Sequence, residues 1–334
     1  MKTTTHETML AVVLDEKDGY PRVDRIPVLQ PGPGQVLVRM AAAPINPSDI
    51  GFLKGSYGFQ KPFPNVPGFE GSGIVFAAGP GLLPQILKGR RVVCSAPSGG
   101  TWAEYLVTSA GTCFPLGRHL SFEQGATLIV NPMTALAFFE IAKRDKHTAI
   151  VSNAAASALG RMILRLGRTY RVPVIHIVRR QEQAELLHSL GGQYVLNSSD
   201  PDFPNQLGPL SQQLKATLLL DPVSEQTSQY LNAMPKGSVA LLYGSLSGKN
   251  IDPPPSNQQL AGFFLPNWIA RRNILQLLMD IQRVQRLATN EFRTTIQKRF
   301  PLSAIKQALE LYQANPTAGK VLLVADPEKV HLEN

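Results

Sequence analysis

Apolar residues come in short runs along the first part of the chain, up to about residue 122. The runs are separated by turns rich in glycine and proline, such as residues 31–34, and this spacing is typical of strands rather than helices. The predicted strands span residues 9–14, 35–43, 71–77, 91–95 and 105–108. We therefore expect a β-rich domain here.

From residue 123 to about residue 288, strand-like runs alternate with apolar residues at helical spacing. The predicted helices span residues 126–141, 157–170, 181–190, 224–233 and 267–288, and the predicted strands span residues 148–152, 173–178, 194–196, 216–220 and 238–243. Such alternation predicts an α/β domain with a parallel, doubly wound sheet. The tail adds a strand beginning near Phe292, a helix over residues 302–314 and a strand over residues 320–324.

Small side chains fill the turn between the strand at 148–152 and the helix that follows it. A phosphate could approach the backbone there, at the N-terminus of the helix. The three glycine positions of the dinucleotide fingerprint G-x-G-x-x-G are occupied by Ala155, Ser157 and Gly160. Since only the last glycine is present, the turn alone also fits a βαβ unit that binds no nucleotide.

Two arginines, Arg179 and Arg180, follow the second strand of this βαβ unit. A site for NAD usually has an Asp or Glu at this place, bound to the ribose 2′-hydroxyl. Two cations instead suit a 2′-phosphate, so NADPH is the predicted cofactor. The alternative is that both arginines are a solvated strand end.

The composition limits the possible functions of the chain. With 334 residues and 43% hydrophobic residues, it can bury a large core and is expected to form two domains. The net charge of +9 favours acidic or phosphate-bearing ligands, but no basic run is dense enough to predict nucleic-acid binding. No apolar run reaches the roughly 18–20 residues of a membrane span, so no membrane association is expected.

The cysteines and the N-terminal residues bear on where the protein works. Cys94 and Cys113 are too few for a disulfide framework, which favours a reducing compartment. The first residues show neither a secretory signal nor a transit peptide and are expected to be a short loose leader. Both observations predict a cytoplasmic protein.

The stretch APINPSDIGFLKGSYGF, residues 43–59, contains the candidate chemistry of the β-rich domain. Asn46 and Asp49 lie in its first turn, and Tyr57 lies near its end between Gly55 and Gly58. A tyrosine on such a loop can turn its hydroxyl into a cleft and act as a proton donor. Most tyrosines are structural, which is the alternative.

These residues, together with the motifs GPGQVLVRM, PGFEGSG, VNPMTA, LYGSLSG and GKVLLV, resemble the medium-chain dehydrogenase/reductase superfamily in its zinc-free, quinone-oxidoreductase-like branch. The resemblance covers nearly the whole chain. It implies a GroES-like β-rich catalytic domain over residues 1–122, a Rossmann NADP-binding domain over 123–288, and a return to the catalytic domain over 289–334. It also implies an active site in the cleft between the domains and a homodimer formed through the Rossmann sheet edge near Phe263.

Zinc-using members of this superfamily place a cysteine in the first loop and a G-H-E motif in the next. Asn46 stands at the cysteine position, and the second motif is Gly68-Phe69-Glu70, so both soft ligands are missing. The resemblance therefore implies no metal. Reduction of an activated C=C bond or of a quinone is then expected rather than oxidation of an alcohol.

Within this branch, the chain looks most like the 2-enoyl thioester reductases. This likeness implies that Tyr57 is the proton donor, with Asn46 and Thr134 as further catalytic residues. The implied cofactor-binding residues are Asn131 and Thr134 near the nicotinamide, Ala156, Ser157, Ala158, Leu159 and Gly160 at the pyrophosphate, Arg179 and Arg180 at the adenosine phosphate, and Tyr243, Gly244, Phe264, Leu265 and Lys320 along the same groove.

The turn departs from the thioester reductases, which tend to have asparagine and glycine at the positions of Ala156 and Ala158. Ala158 adds only a methyl group, so we expect binding to persist unless the backbone there needs a positive φ.

Three functions stay open at this point. The first is NADPH-dependent reduction of a 2-enoyl thioester or related α,β-unsaturated carbonyl, with a small-molecule or acyl-thioester substrate. The second is NADPH:quinone oxidoreduction. The third is a protein that binds the cofactor without catalysis.

Overall fold

The computed structural model describes residues 8–58 and 61–324. These residues form two compact units, which we call the catalytic unit and the sheet unit. The catalytic unit combines the residues up to Val130 with those from Ile281 onward, and the sheet unit is Asn131–Asp280. The domain boundaries inferred from the sequence, at residues 122 and 288, stay predictions. The predicted loose leader, residues 1–7, lies outside the described residues.

The strands and α-helices of the described residues have the following bounds. The strands are β1 Thr8–Val13, β2 Arg22–Pro27, β3 Gln35–Pro44, β4 Glu70–Ala78, β5 Arg91–Ser95, β6 Tyr105–Ser109, β7 Cys113–Pro115, β8 Ala149–Ser152, β9 Val174–Val178, β10 Tyr194–Asn197, β11 Ala216–Asp221, β12 Val239–Leu242, β13 Gln259–Gly262, β14 Ile296–Pro301 and β15 Lys320–Val324. The α-helices are α1 Pro47–Leu53, α2 Leu82–Leu87, α3 Phe122–Gly125, α4 Val130–Arg144, α5 Ala158–Tyr170, α6 Gln181–Ser189, α7 Phe203–Leu214, α8 Thr227–Ala233, α9 Leu265–Ala270, α10 Ile274–Leu287 and α11 Ile305–Ala314.

The catalytic unit is built on a seven-stranded sheet with the order β14-β15-β3-β4-β5-β7, and β6 also pairs with β3. Strand β15 runs antiparallel to the end of β3, with Leu322 opposite Pro44. One residue beyond β3, the N–H of Ile45 donates to the carbonyl of Val321 at 3.0 Å. This pairing brings the start of β15 beside the loop that begins at Asn46.

The sheet unit contains six parallel strands in the order β10-β9-β8-β11-β12-β13. Counted from β8, this is the order 3-2-1-4-5-6 of the Rossmann fold. The predicted parallel, doubly wound sheet is therefore confirmed. Strands β8, β9 and β11 are apolar along most of their length and largely buried on both faces, as expected for parallel strands covered by helices. The strand order reverses between β8 and β11, where such sheets bind their ligands.

Two helical regions differ from the pattern-based prediction. The pattern does not predict helix α7 because Gly208 and Pro209 lower helical propensity in its interior, yet the helix forms and buries Phe203 and Leu207. The single helix predicted over residues 267–288 is in fact α9 and α10. Asn273 separates the two, because its side-chain oxygen accepts from the N–H of Gln276 at 2.9 Å while the Gln276 side chain accepts from the N–H of Asn273 at 3.0 Å. This reciprocal cap starts a new helix.

Candidate active site

Asn46 begins the candidate site at the N-terminus of α1. Its backbone N–H donates to Oδ2 of Asp49 at 2.7 Å, and Pro47 takes the first helical position. Proline suits this position because its missing N–H would have no partner there. Both Asn46 and Asp49 are fully buried. The start of α1 therefore holds a carboxyl group inside the catalytic unit.

The Asn46 side chain bridges a buried ammonium and a buried carboxylate. Lys320, the first residue of β15, donates from Nζ to Oδ1 of Asn46. Asn46 in turn donates from Nδ2 to Oε1 of Glu70 at 2.9 Å. An amide can accept at one end and donate at the other, which a thiol cannot do comparably. We call Asn46, Asp49, Glu70 and Lys320 the buried polar network.

Glu70 is fixed by further donors at the start of β4. Its Oε2 accepts from the backbone N–H groups of Ile129 and Val130, each at 2.9 Å. Val130 is the first residue of α4, so the carboxylate lies at a helix N-terminus, where negative charge is stabilised. With Asn46 included, three donors satisfy Glu70.

The network contains two carboxyl groups and one ammonium group. Burial raises the pKa of Glu70, against the opposing effects of Lys320 and the donors. Burial likewise raises the pKa of Asp49 to about 7; Glu70 adds to the rise, and the N–H groups of Asn46 and Phe69 and the Lys320 ammonium oppose it. Burial lowers the pKa of Lys320, and both carboxylates oppose that change. Asp49 therefore changes its charge near neutral pH.

Tyr57 lies beside this network, on the segment that follows α1. Its ring stacks on Phe69, with ring centroids 4.7 Å apart, and its N–H donates to the carbonyl of Gly51 at 3.1 Å. Burial raises the pKa of Tyr57 to about 12, and Asp49 contributes further to the rise. The phenol stays protonated at neutral pH and can donate a proton. Phe69 stands where zinc-using relatives have a histidine, and here it supports Tyr57.

The catalytic unit thus brings together three predicted site residues, Asn46, Tyr57 and Lys320. Asp49 and Glu70 were not among the predicted site residues, although the sequence contains a signal for Asp49. An asparagine followed three residues later by an acidic residue is a helix-start pattern, and it places that carboxyl against the N-cap. Glu70 belongs to the Gly68-Phe69-Glu70 motif, but its hydrogen-bond partners lie far away in sequence, so spacing alone does not indicate its role.

In the sheet unit, the turn after β8 is held by side chains at the reversal of strand order. Asn153 donates from Nδ2 to Oδ1 of Asp221, the last residue of β11, at 2.9 Å. The side-chain oxygen of Asn153 accepts from the N–H of Ala154 at 2.7 Å. Asp221 is fully buried and also accepts from the hydroxyl of Thr227 at 2.6 Å. These bonds fix the course of the backbone into α5.

The structure explains why only the third fingerprint glycine is present. A Cβ atom on Gly160 would lie 2.3 Å from the carbonyl oxygen of Ala155, so the close approach of α5 to the turn needs glycine here. Ser157 caps α5 by accepting from the N–H of Gly160 at 3.1 Å. Ala158 is the first residue of α5, in helical backbone, so its methyl group causes no strain. Ser157 and Ala158 are half-buried, which leaves the helix N-terminus open to a diphosphate.

Arg179 and Arg180 are exposed directly after β9. Arg180 takes the N-cap position of α6, and the N–H of Arg179 donates to the Gln183 side chain at 3.3 Å. An ion pair between Lys249 and Glu225 lies nearby: the bound ammonium lowers the pKa of Glu225, and Arg179 adds to that effect. Arg179 and Arg180 thus place two positive charges at the carboxyl end of β9, where the sequence predicts a 2′-phosphate.

Apart from Lys320, the other predicted cofactor residues also lie in the sheet unit. Asn131 and Thr134 are buried in the first turns of α4. Tyr243 follows β12, donates its N–H to the carbonyl of Asp221 at 3.2 Å and packs on Phe138 with ring centroids 4.9 Å apart. The carbonyl of Gly244 accepts a hydrogen bond from the Ser224 hydroxyl at 2.8 Å. Phe264 takes the N-cap position of α9, and Leu265 is the first residue of that helix.

This fold and site define a two-part oxidoreductase, and comparisons with known proteins agree. Residues 32–118 match the alcohol dehydrogenase GroES-like domain, and residues 190–323 match the zinc-binding dehydrogenase domain. The second match begins at residue 190, so it does not include Asn46 or Phe69, the two positions at which zinc ligands are missing. The chain belongs to the medium-chain dehydrogenase/reductase superfamily, and the predicted GroES-like domain is confirmed.

Individual relatives carry different names. A mitochondrial enoyl-[acyl-carrier-protein] reductase of Arabidopsis thaliana is 30% identical over 293 residues, covering 82% of this chain and 78% of that protein. A solved structure from Mesorhizobium loti, provisionally named NADPH:quinone reductase, is 32% identical with a TM-score of 0.87, covering 96% of this chain and all of the other. The synaptic vesicle membrane protein VAT-1 homolog of Rattus norvegicus is 25% identical over 327 residues, or 90% of this chain and 79% of that protein.

Two further findings concern metals and membranes. Within residues 8–58 and 61–324, no cluster of three or more His, Cys, Asp or Glu side chains is arranged to hold a metal ion. Over the same residues, each helix is too short or too polar to cross a bilayer.

Proposed function

We propose that the protein reduces the activated C=C bond of a 2-enoyl thioester, or of a related α,β-unsaturated carbonyl, with NADPH. The observation that carries this proposal is Tyr57, a protonated phenol stacked on Phe69 beside the buried polar network. Reduction of a conjugated C=C bond needs such an acid, because hydride addition at the β-carbon leaves an enolate that must be protonated.

The sheet unit offers the residues that would hold NADPH. The N-terminus of α5, with Ser157 and Ala158, would bind the diphosphate through backbone N–H groups. Arg179 and Arg180 would bind the 2′-phosphate by charge-assisted hydrogen bonds. We assign Asn131 and Thr134 to the nicotinamide end. When bound, NADPH supplies the hydride.

Tyr57 acts on the substrate after hydride addition. Its hydroxyl donates the proton that forms the new C–H bond at the α-carbon, and the electron pair of that bond comes from the enolate. The phenolate left behind takes a proton from solvent, which the half-buried position of Tyr57 allows. Burial, with a smaller contribution from the Asp49 charge, raises the pKa of Tyr57 and keeps the acid protonated between turnovers.

Relatives support the enoyl and the quinone function to a similar degree. The name of the Arabidopsis relative supports enoyl thioesters, and the name of the Mesorhizobium protein supports quinones. Tyr57 favours the enoyl substrate, because a hydroquinone anion can be protonated by water and needs no positioned acid. The VAT-1 homolog is named without a reaction, so cofactor binding without catalysis stays the third candidate.

We also propose a homodimer located in the cytoplasm. Strand β13 ends the six-stranded sheet, and next to it the N–H of Phe263 donates to the carbonyl of Leu242 at 2.7 Å. Such an edge can extend into a second copy of the same sheet. The cytoplasmic location rests on the sequence, whereas several relatives are named mitochondrial. Sedimentation analysis would test the dimer, and imaging of the tagged full chain would test the location.

Steady-state oxidation of NADPH against a panel of enoyl thioesters, enones and quinones tests the function. We expect turnover of the enoyl thioesters to exceed that of the quinones in kcat/KM. Turnover of quinones alone would select the second function. Tight NADPH binding without turnover of any member of the panel would select the third.

A further inference from the structure

Asp49 is the less satisfied carboxyl group of the buried polar network. Its Oδ2 accepts from the Asn46 N–H at 2.7 Å, and the Phe69 N–H also stabilises the carboxylate, but Oδ1 is buried without a hydrogen bond of good geometry among the described residues. Glu70 accepts from three donors through its two oxygens. A buried carboxylate with fewer donors is the costlier one to ionise. Asp49 rather than Glu70 is therefore the group that takes up a proton.

The charges around Asp49 lead to the same assignment. Glu70 on β4 is negative, Lys320 on β15 is positive, and both influence Asp49. Because Asn46 links the Lys320 ammonium to the Glu70 carboxylate, these two charges balance one another. An ionised Asp49 would add a surplus negative charge to a buried site. Such a surplus is avoided by protonation.

Two phenols lie within range of the Asp49 charge. Burial raises the pKa of Tyr57 to about 12, and the charge of Asp49 is the second cause of that rise. Burial also raises the pKa of Tyr312 on α11, again with Asp49 as the second cause. A negative charge near a phenol opposes its loss of a proton. The Asp49 carboxyl thus affects the group that we assign as proton donor.

We propose that Asp49 controls the strength of Tyr57 as a proton donor. The phenol donates readily while the Asp49 carboxyl is neutral, and poorly once that carboxyl is ionised. Asp49 is a positioning residue rather than a catalytic one, since it acts through Tyr57 and does not touch substrate. This inference rests on the proposed function and adds a regulation of the same site by pH.

The test is the pH profile of single-turnover reduction of a 2-enoyl coenzyme A thioester at saturating NADPH. For the wild type, we expect the rate to fall as the pH rises through about 7, by at most about tenfold for each unit that the Asp49 charge adds to the phenol pKa. Asp49→Asn, which mimics the neutral carboxyl, should keep the fast rate up to pH about 9. Its solvent isotope effect should also stay constant, whereas that of the wild type should grow.

Asp18→Asn is the matched control, because Asp18 is an exposed aspartate of the same unit. It should keep the wild-type profile. A wild-type rate that does not fall between pH 6 and pH 9 overturns the proposal even if Asp49→Asn does not fold. The proposal is also overturned if the rate of Asp49→Asn falls with rising pH in the same way as that of the wild type.

Failure of the proposed function would give a different result. If the wild type does not reduce enoyl thioesters, or if Tyr57→Phe reduces them at the wild-type rate, the assignment of Tyr57 is wrong. If Tyr57→Phe is slow while Asp49→Asn follows the wild-type profile, only the role of Asp49 is wrong.

Discussion

The ammonium group of Lys320 donates a hydrogen bond to the side-chain oxygen of Asn46, across 274 residues of the chain. Lys320 is only 5% exposed, and a lysine is rarely buried so far without a charged partner. The Asn46 amide in turn donates to Glu70 at 2.9 Å, so it lies between the ammonium and a carboxylate. This contact joins the last strand of the catalytic unit to the loop at the start of α1.

Replacing Lys320 by Met should strongly destabilise the protein. The change leaves the Glu70 carboxylate buried without its cation, and breaking a buried pair in this way costs about 3–5 kcal/mol. Urea unfolding measures the loss. Lys54→Met is the control, because Lys54 is exposed at the end of α1 and its loss should change the free energy of unfolding little. Equal effects of the two substitutions would mean that the network does not stabilise the fold.

Replacing Tyr57 by Phe removes only the hydroxyl group. We expect kcat on a 2-enoyl thioester to fall by about 10²–10⁴-fold, the usual contribution of a positioned general acid, while the dissociation constant for NADPH stays the same. Tyr20→Phe should have no effect, because Tyr20 is 59% exposed. Full enoyl turnover by Tyr57→Phe would mean that Tyr57 is not the proton donor.

Arg179 and Arg180 should give a preference for NADPH over NADH of tenfold or more. Each charge-assisted hydrogen bond to the 2′-phosphate contributes about 1.5–3 kcal/mol. Fluorescence titration of the double variant Arg179→Gln, Arg180→Gln should show nearly equal dissociation constants for both cofactors. Arg171→Gln, at the far end of α5, should keep the preference. Equal dissociation constants in the wild type would remove this role from both arginines.

Gly160→Ala should weaken both the sheet unit and cofactor binding. The added Cβ would lie 2.3 Å from the Ala155 carbonyl oxygen, so the start of α5 must move, at a cost of about 1–3 kcal/mol. Gly208→Ala is the matched helical control, since the nearest atom to its Cβ is 3.8 Å away, and it should stabilise α7 by up to about 1 kcal/mol. Urea unfolding and NADPH titration report both effects. The packing argument fails if Gly160→Ala behaves like Gly208→Ala.

The purified protein should contain no stoichiometric zinc and should keep its activity in a chelator. Asn46 and Phe69 offer neither thiolate nor imidazole, and the Lys320 ammonium at Asn46 would repel a cation. Elemental analysis together with assays before and after added zinc gives the answer. One tightly held zinc per chain would contradict this expectation.

The sequence alone determined the local elements and the class of fold. Strands β8 and β9, helix α5 and the small-residue turn follow from spacing over a few residues, and their alternation with further strands predicted the parallel sheet. Helix α7 and the helix start at Asn273 have weaker local signals and do not follow from the pattern. The motifs around Asn46 and Tyr57, together with those along the rest of the chain, were sufficient to select the superfamily.

Only the tertiary structure decided which of these residues work together. It established the strand order around β8, the need for glycine at position 160 and the network that joins Asn46, Glu70 and Lys320. The physical reason is the range of the interactions. Hydrophobic periodicity is set by neighbours in sequence, whereas a buried charge finds its partner through the packing of strands that lie far apart in the chain.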